Sequence, residues 1–194
     1  MRAGLGAVIE LVPFTEADID PLLGWVRSLE ELFFWTASSF GYPLTREHIT
    51  QHMRDCAARG DRLIFKAVES ASGEAVGYVE LGALDPRNRS ARIGRVLIAP
   101  PARGRGLGAG MMRAALAYAF DVRQVHRAEL GVFDVNPRAL ALYERVGFRR
   151  EGKRRESFKA PEELGGGYWS EIVMSVLASE WAAMRNHDPI SDSA

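Results

Sequence analysis

The octapeptide Arg103-Gly-Arg-Gly-Leu-Gly-Ala-Gly110 (RGRGLGAG) places a glycine at every second position, directly after the apolar run VLIAPPA and directly before MMRAALAYAF. Glycine is favoured where the backbone must enter left-handed conformations or lie close to a ligand. A helix that starts just after such a loop presents unpaired N–H groups and the positive end of its dipole. Together these make a cradle for a phosphate-bearing ligand.

Working outward, Val8–Phe14 reads as a strand and Thr15–Leu29 as a helix with Thr15 as cap and acidic residues in its first turn. Phe33–Leu44 is aromatic-rich, is interrupted by Gly41 and Pro43, and reads as a loop or a broken helix. Thr45–Gly60 is a second helix, with Thr45 as cap and Gly60 as stop. Three strands follow as a meander: Arg62–Ser70, Ala75–Leu84 and Ala91–Ala99. After the glycine loop come a helix to about Phe120, a strand (Arg127–Val135), a short helix (Pro137–Val146), a strand (Gly147–Lys159) and a last strand (Tyr168–Ser179). The layout is mixed α/β: a mostly antiparallel sheet of about seven strands with about four helices, and one helical crossover between the fourth and fifth strands. We expect a single domain over residues 1–180 and a flexible tail over 181–194.

Bulk properties exclude several classes. Lys plus Arg and Asp plus Glu both number 25, so no global charge argues for nucleic acid or an anionic membrane. Cys56 is the only cysteine, which rules out an intramolecular disulfide and a thiol-rich metal site. No apolar run approaches a membrane span and the N-terminus lacks a signal-peptide core, so a cytoplasmic protein is expected. His48 and His52 share a helical face without an evident third ligand, and no metal is expected.

Three phosphate loops compete for the glycine stretch. A dinucleotide-binding G-x-G-x-x-G would put Ala109 at its third glycine, but the preceding strand belongs to a meander and no acid closes the next strand. A P-loop fails because no Gly-Lys-Ser/Thr follows. The third pattern, Arg/Gln-x-x-Gly-x-Gly/Ala, fits Arg103 to Gly108 throughout. It is the acyl-CoA signature of the GCN5-related N-acetyltransferases (GNAT), which this chain resembles. FDVNPRALALYERVGFRREG (residues 133–152) resembles that family's second block, and YAFDVRQVHRAELGV with YWSEIVMSVL resembles the branch containing ribosomal-protein N-terminal acetyltransferases.

The resemblance implies the GNAT fold, acetyl-CoA as cosubstrate and direct attack by an amine in a ternary complex. It implies that the backbones of Leu97 and Ile98 pair with the pantetheine arm, where a splay of the strand frees an N–H for the thioester oxygen. The amides of Arg103, Gly104, Arg105, Gly106, Leu107, Gly108 and Ala109 would hold the diphosphate, with Arg103 or Arg105 pairing to phosphate. Asn136 would contact the pantetheine, and by itself also reads as a helix cap. Tyr143 would act as general acid toward the leaving thiolate, although taken alone it reads as a core aromatic.

The fourth strand, ARIGRVLIA, carries arginines where many family members carry a glutamate. Glu80 on the neighbouring strand is the nearest substitute as base, Glu171 is a second candidate, and water is a third. The aromatic segment Phe33–Tyr42 suits either an acceptor pocket or a core or homodimer contact. The acceptor itself is a peptide N-terminus or a small amine, and a catalytically silent acyl-CoA-binding module is the rival reading.

Overall fold

The computed structural model describes residues 8–187; the first seven residues and the end of the expected tail, 188–194, lie outside them. Seven strands form one sheet in the order β1-β2-β3-β4-β5-β7-β6. In chain order these are β1 (Ile9–Pro13), β2 (Leu63–Glu69), β3 (Ala75–Asp85), β4 (Ser90–Ile98), β5 (Arg127–Phe133), β6 (Arg149–Lys159) and β7 (Tyr168–Leu177). All neighbouring pairs are antiparallel except β4 and β5, whose parallel pairing requires the crossover helix. The mixed sheet expected from the sequence is thus the one formed.

The helices are α1 (Ile19–Leu23), α2 (Leu29–Thr36), α3 (Arg46–Arg59), α4 (Leu107–Ala117), α5 (Pro137–Arg145) and α6 (Ala178–His187). The stretch read as one helix from Thr15 divides in two, because Gly24 closes α1 and Ser28 opens α2 by accepting from the Glu31 amide at 3.1 Å. The aromatic segment read as a loop or broken helix is helical as far as Thr36, where Ala37 at φ 52 stops it.

In α3 the Thr45 hydroxyl accepts from the His48 amide at 3.3 Å, and Gly60 takes the left-handed stop. Thr45→Ala should cost about 1 kcal/mol, read as a lower urea midpoint with an unchanged slope.

Among the described residues, two of three apolar clusters cover most of the sheet, the third gathering Phe33, Phe133 and Ala160. One joins α4 (Leu107, Met111, Met112, Leu116) to β2–β5 and β7; the other joins α1–α3 to Tyr78 and Leu97 on the opposite face. β3 is buried on both faces over most of its length. β6 is an exposed edge strand rich in basic residues, a composition that discourages edge-to-edge association. Its Arg149, Arg150, Lys153 and Arg154 pair with Glu180, Glu144, Asp134 and Glu171, so this run forms a paired face.

The last helix runs across position 180. The chain forms α6 to His187; Trp181 stacks on Phe120 with ring centroids 5.9 Å apart, and both Trp181 and Arg185 donate to Asp121. A frayed end would forfeit those contacts. No helix among the described residues is long and apolar enough to cross a membrane.

Candidate active site

Parallel pairing of β4 with β5 covers only Ser90–Arg92 against Arg127–Glu129. Beyond it the strands part, while β5 stays paired to β7 as far as Phe133. A cleft of about 860 Å³ opens there, lined by Ile93–Ile98 from β4 and Leu130–Phe133 from β5. The expected splay is therefore present, and it starts earlier than Leu97.

A bulge shapes the β4 side. Tyr78 faces Leu97 and Glu80 faces Gly94, so two steps along β3 match three along β4. The extra residue brings Arg95 to φ 47, and Trp35 of α2 donates to its carbonyl at 2.8 Å. Leu97 and Ile98 both line the cleft, but the Ile98 carbonyl accepts from the Arg103 side chain at 3.1 Å.

At the far end of β4 the glycine loop turns into α4. Gly104 and Gly106 have φ of 79 and 80, which glycine alone adopts without strain, and a Cβ on either would meet open space. Among the described residues, nothing accepts from the amides of Gly104, Arg105, Gly106, Leu107 and Gly108. Room and free donors together fit a diphosphate. The Ala109 amide instead bonds Gly106 at 3.2 Å, and the Arg103 amide bonds Pro100 at 3.3 Å.

The two loop arginines are already engaged. Arg103 pairs with Glu31 at 2.5 Å, and Arg105 with Glu69 at 2.7 Å. The backbone is thus the main anion-binding surface of this loop.

Asn136 and Tyr143 line the cleft from α5. Asn136 caps the helix, its Oδ1 accepting from the Ala139 amide at 3.1 Å and its backbone N–H donating to the Phe133 carbonyl at 3.0 Å, while its side-chain Nδ2 has no partner among the described residues. Tyr143 lies one face in, its ring 6.0 Å from that of Phe148. Burial pushes its phenol well above the ordinary value, so it stays protonated. Among the described residues its hydroxyl has no hydrogen-bond partner, and burial is the one cause of the shift.

Glu80 does not lie free as a base. Its side chain is fully buried, with Oε1 accepting from Tyr78 at 2.5 Å and bonded to His52 at 2.8 Å. Oε2 accepts from Arg62 at 2.6 Å and from Arg95 at 2.7 Å. Burial alone would raise its pKa, but the His52 hydrogen bond, the Arg95 charge and the Tyr78 hydroxyl outweigh it, bringing it to about 2. A carboxylate so held is an anchor for cations and a poor proton acceptor.

Glu171 lines the cleft beside Gly131, where any Cβ would collide with its carboxylate. Its oxygens are taken by Arg92 at 2.6 Å and Arg154 at 3.1 Å. Sequence reading offered the segment containing Trp35 as a pocket wall but missed Arg62, Arg95 and His52 as parts of this site. The available signal was the placement of Arg62 and Arg95 within or beside otherwise apolar strands.

Against known proteins, the profile described as "Acetyltransferase (GNAT) family" matches residues 29–148. The chain belongs to the GNAT acetyltransferase family. This GNAT chain is an N-acetyltransferase, with acetyl-CoA as its cosubstrate. It is 33% identical over 135 residues to a spermidine N(1)-acetyltransferase of Vibrio cholerae, covering 70% of this chain and 72% of that protein. It is 31% identical over 109 residues to a putative ribosomal N-acetyltransferase, YdaF, of Bacillus subtilis, covering 56% and 57%. A crystal structure of spermidine N-acetyltransferase from Vibrio cholerae, in complex with CoA and spermine, aligns with a TM-score of 0.78 at 23% identity, over 90% of this chain and 98% of the other. That likeness establishes the shared GNAT fold.

Proposed function

We propose that this chain moves the acetyl group of acetyl-CoA to a primary amine held in the β4–β5 cleft, without a covalent enzyme intermediate. The observation that carries this reading is the cleft itself. Free loop amides lie at one end, and the Asn136 Nδ2 and Tyr143 hydroxyl, without partners among the described residues, lie along its wall.

In this reading the diphosphate sits on the amides of Gly104 to Gly108. The pantetheine runs between the parted strands with its thioester toward the bulge. The neutral amine attacks the thioester carbon, and a β4 backbone N–H stabilises the oxyanion. Collapse breaks the C–S bond, and Tyr143 donates to the departing thiolate. The surplus proton of the attacking amine passes to water in the cleft, because Glu80 and Glu171 are both held by arginines. The acceptor is a small amine or a peptide N-terminus.

The test is release of free CoA thiol from acetyl-CoA with a panel of primary amines. Amine-dependent release is the expected result. Binding of acetyl-CoA with no release for any amine would favour the silent binding module instead.

Gly106→Glu should weaken acetyl-CoA binding ~10- to 30-fold, because it strains a left-handed position and sets a negative charge at the cradle. Calorimetry reads this directly, and unchanged affinity would displace the diphosphate from this loop.

A further inference from the structure

Six arginines and two glutamates line the cleft. Arg103, Arg138 and Arg145 lie on the loop and α5, toward the diphosphate end; Arg62, Arg92 and Arg95 lie toward the acceptor end. Four residues of strand from Ile98 back to Gly94 span about 13 Å, which separates the two groups.

Arg92 is balanced. It pairs with Glu171 and Glu129, and Arg127, Arg154 and Glu151 complete a network of three arginines and three glutamates. Arg62 and Arg95 are not. Both guanidiniums bond the same oxygen of a single carboxylate, Glu80. The other groups packed around them add no negative charge: His52 and Cys56 from α3, Tyr78 from β3, and the Phe40 ring 5.2 Å from the Arg95 guanidinium. Asp61 next to Arg62 also acts on it, but its charge is offset by its own partner Arg59 at 3.4 Å. The Nε atoms of both arginines are buried without a hydrogen-bond partner. One positive charge is left uncompensated at a largely desolvated place, a costly arrangement unless a ligand completes it.

The lining offers nothing comparable to a cation. Glu31 is held by Arg103, and Glu171 by Arg92 and Arg154. The ammonium groups of a polyamine would meet no free carboxylate there.

We propose that the acceptor amine carries a carboxylate, which the Arg62–Arg95 pair holds, and that polyamines are poor acceptors. This inference rests on the acetyl-transfer reading of the cleft. The carboxylate belongs either to a free amino acid or to an acidic residue near a peptide N-terminus, and the Phe34, Phe133 and Phe158 rings lining the cleft suit an apolar body attached to it.

The experiment compares kcat/KM, referred to the neutral amine, for matched acceptors: phenylalanine against phenylalaninamide, a short peptide with glutamate in second position against its glutamine counterpart, and spermidine. The carboxylate member of one pair is expected to be favoured about tenfold or more, with spermidine below it; the pair that responds identifies the source. R95Q and R62Q are each expected to bring that ratio toward one. Either variant leaves Glu80 one arginine, His52 and Tyr78, so the cluster stays paired.

Calorimetric binding of the same pairs to CoA-saturated protein reads recognition independently of turnover. Equal treatment of both members in both readouts, or a preference for spermidine, overturns the inference while leaving acetyl transfer intact. Failure of acetyl-CoA itself to bind overturns the underlying reading as well.

Discussion

Replacing Tyr143 by phenylalanine will lower kcat by about 10²-fold and leave acetyl-CoA affinity nearly unchanged. The substitution removes one oxygen and keeps the ring, which packs against Phe148 and belongs to the main core. Folding should hardly respond, since the hydroxyl has no hydrogen-bond partner among the described residues. The loss belongs to thiolate departure, when charge develops on sulfur and only a nearby donor relieves it. The elevated phenol pKa keeps that donor protonated well into alkaline solution. Steady-state kinetics and calorimetry separate the two effects. Full turnover in Tyr143→Phe would remove the residue from the chemistry and return it to the core alone.

Glu80→Gln gives the largest expected loss of stability, about 3–5 kcal/mol. The amide keeps the shape but gives up the charge that Arg62 and Arg95 share, and it sets an N–H against donors. The pH dependence carries a sign. The folded pKa of about 2 lies below the ordinary 4.5, so the carboxylate contributes fully above 4.5 and its contribution fades as pH falls toward 2. The gap in unfolding free energy between wild type and variant should be full at neutral pH and shrink below pH 4.5. A gap that is small at neutral pH, or constant down to acid pH, contradicts the assignment of Glu80 as the charge holding this cluster.

The proposed cofactor half of the cleft can be traced in the sequence because its chemistry is local. A glycine loop between a strand and a helix, and Asn136 with Tyr143 on one short helix, are fixed by spacing along the chain. The proposed acceptor half cannot. Glu80 reads as a candidate base until β2, β3 and β4 are aligned and Arg62 and Arg95 close on it from either side. That alignment depends on the bulge at Arg95, which no spacing in ARIGRVLIA announces. The two arginines noted on the fourth strand for lacking an acid have opposite fates, one balanced by Glu129 and Glu171 and the other left in excess.

Two other departures have local causes. α2 forms from aromatic residues of modest helix propensity because Ser28 caps it and Phe33 and Trp35 are buried in the core. α6 packs Ala178, Trp181 and Met184 on the main core, stacks Trp181 on Phe120, and sends two donors to Asp121. Tertiary contacts decide both elements, and a sequence shows such contacts only after folding has brought the partners together.

The central claim is that the parted β4 and β5 strands and the Gly104–Gly108 amides form the acetyl-CoA site. The most direct measurement is calorimetric titration of the protein with acetyl-CoA, beside NAD and ATP. Saturable one-to-one binding of acetyl-CoA is expected, with no comparable binding of the other two. Folded protein that ignores acetyl-CoA, or that binds NAD or ATP as well, would contradict that claim.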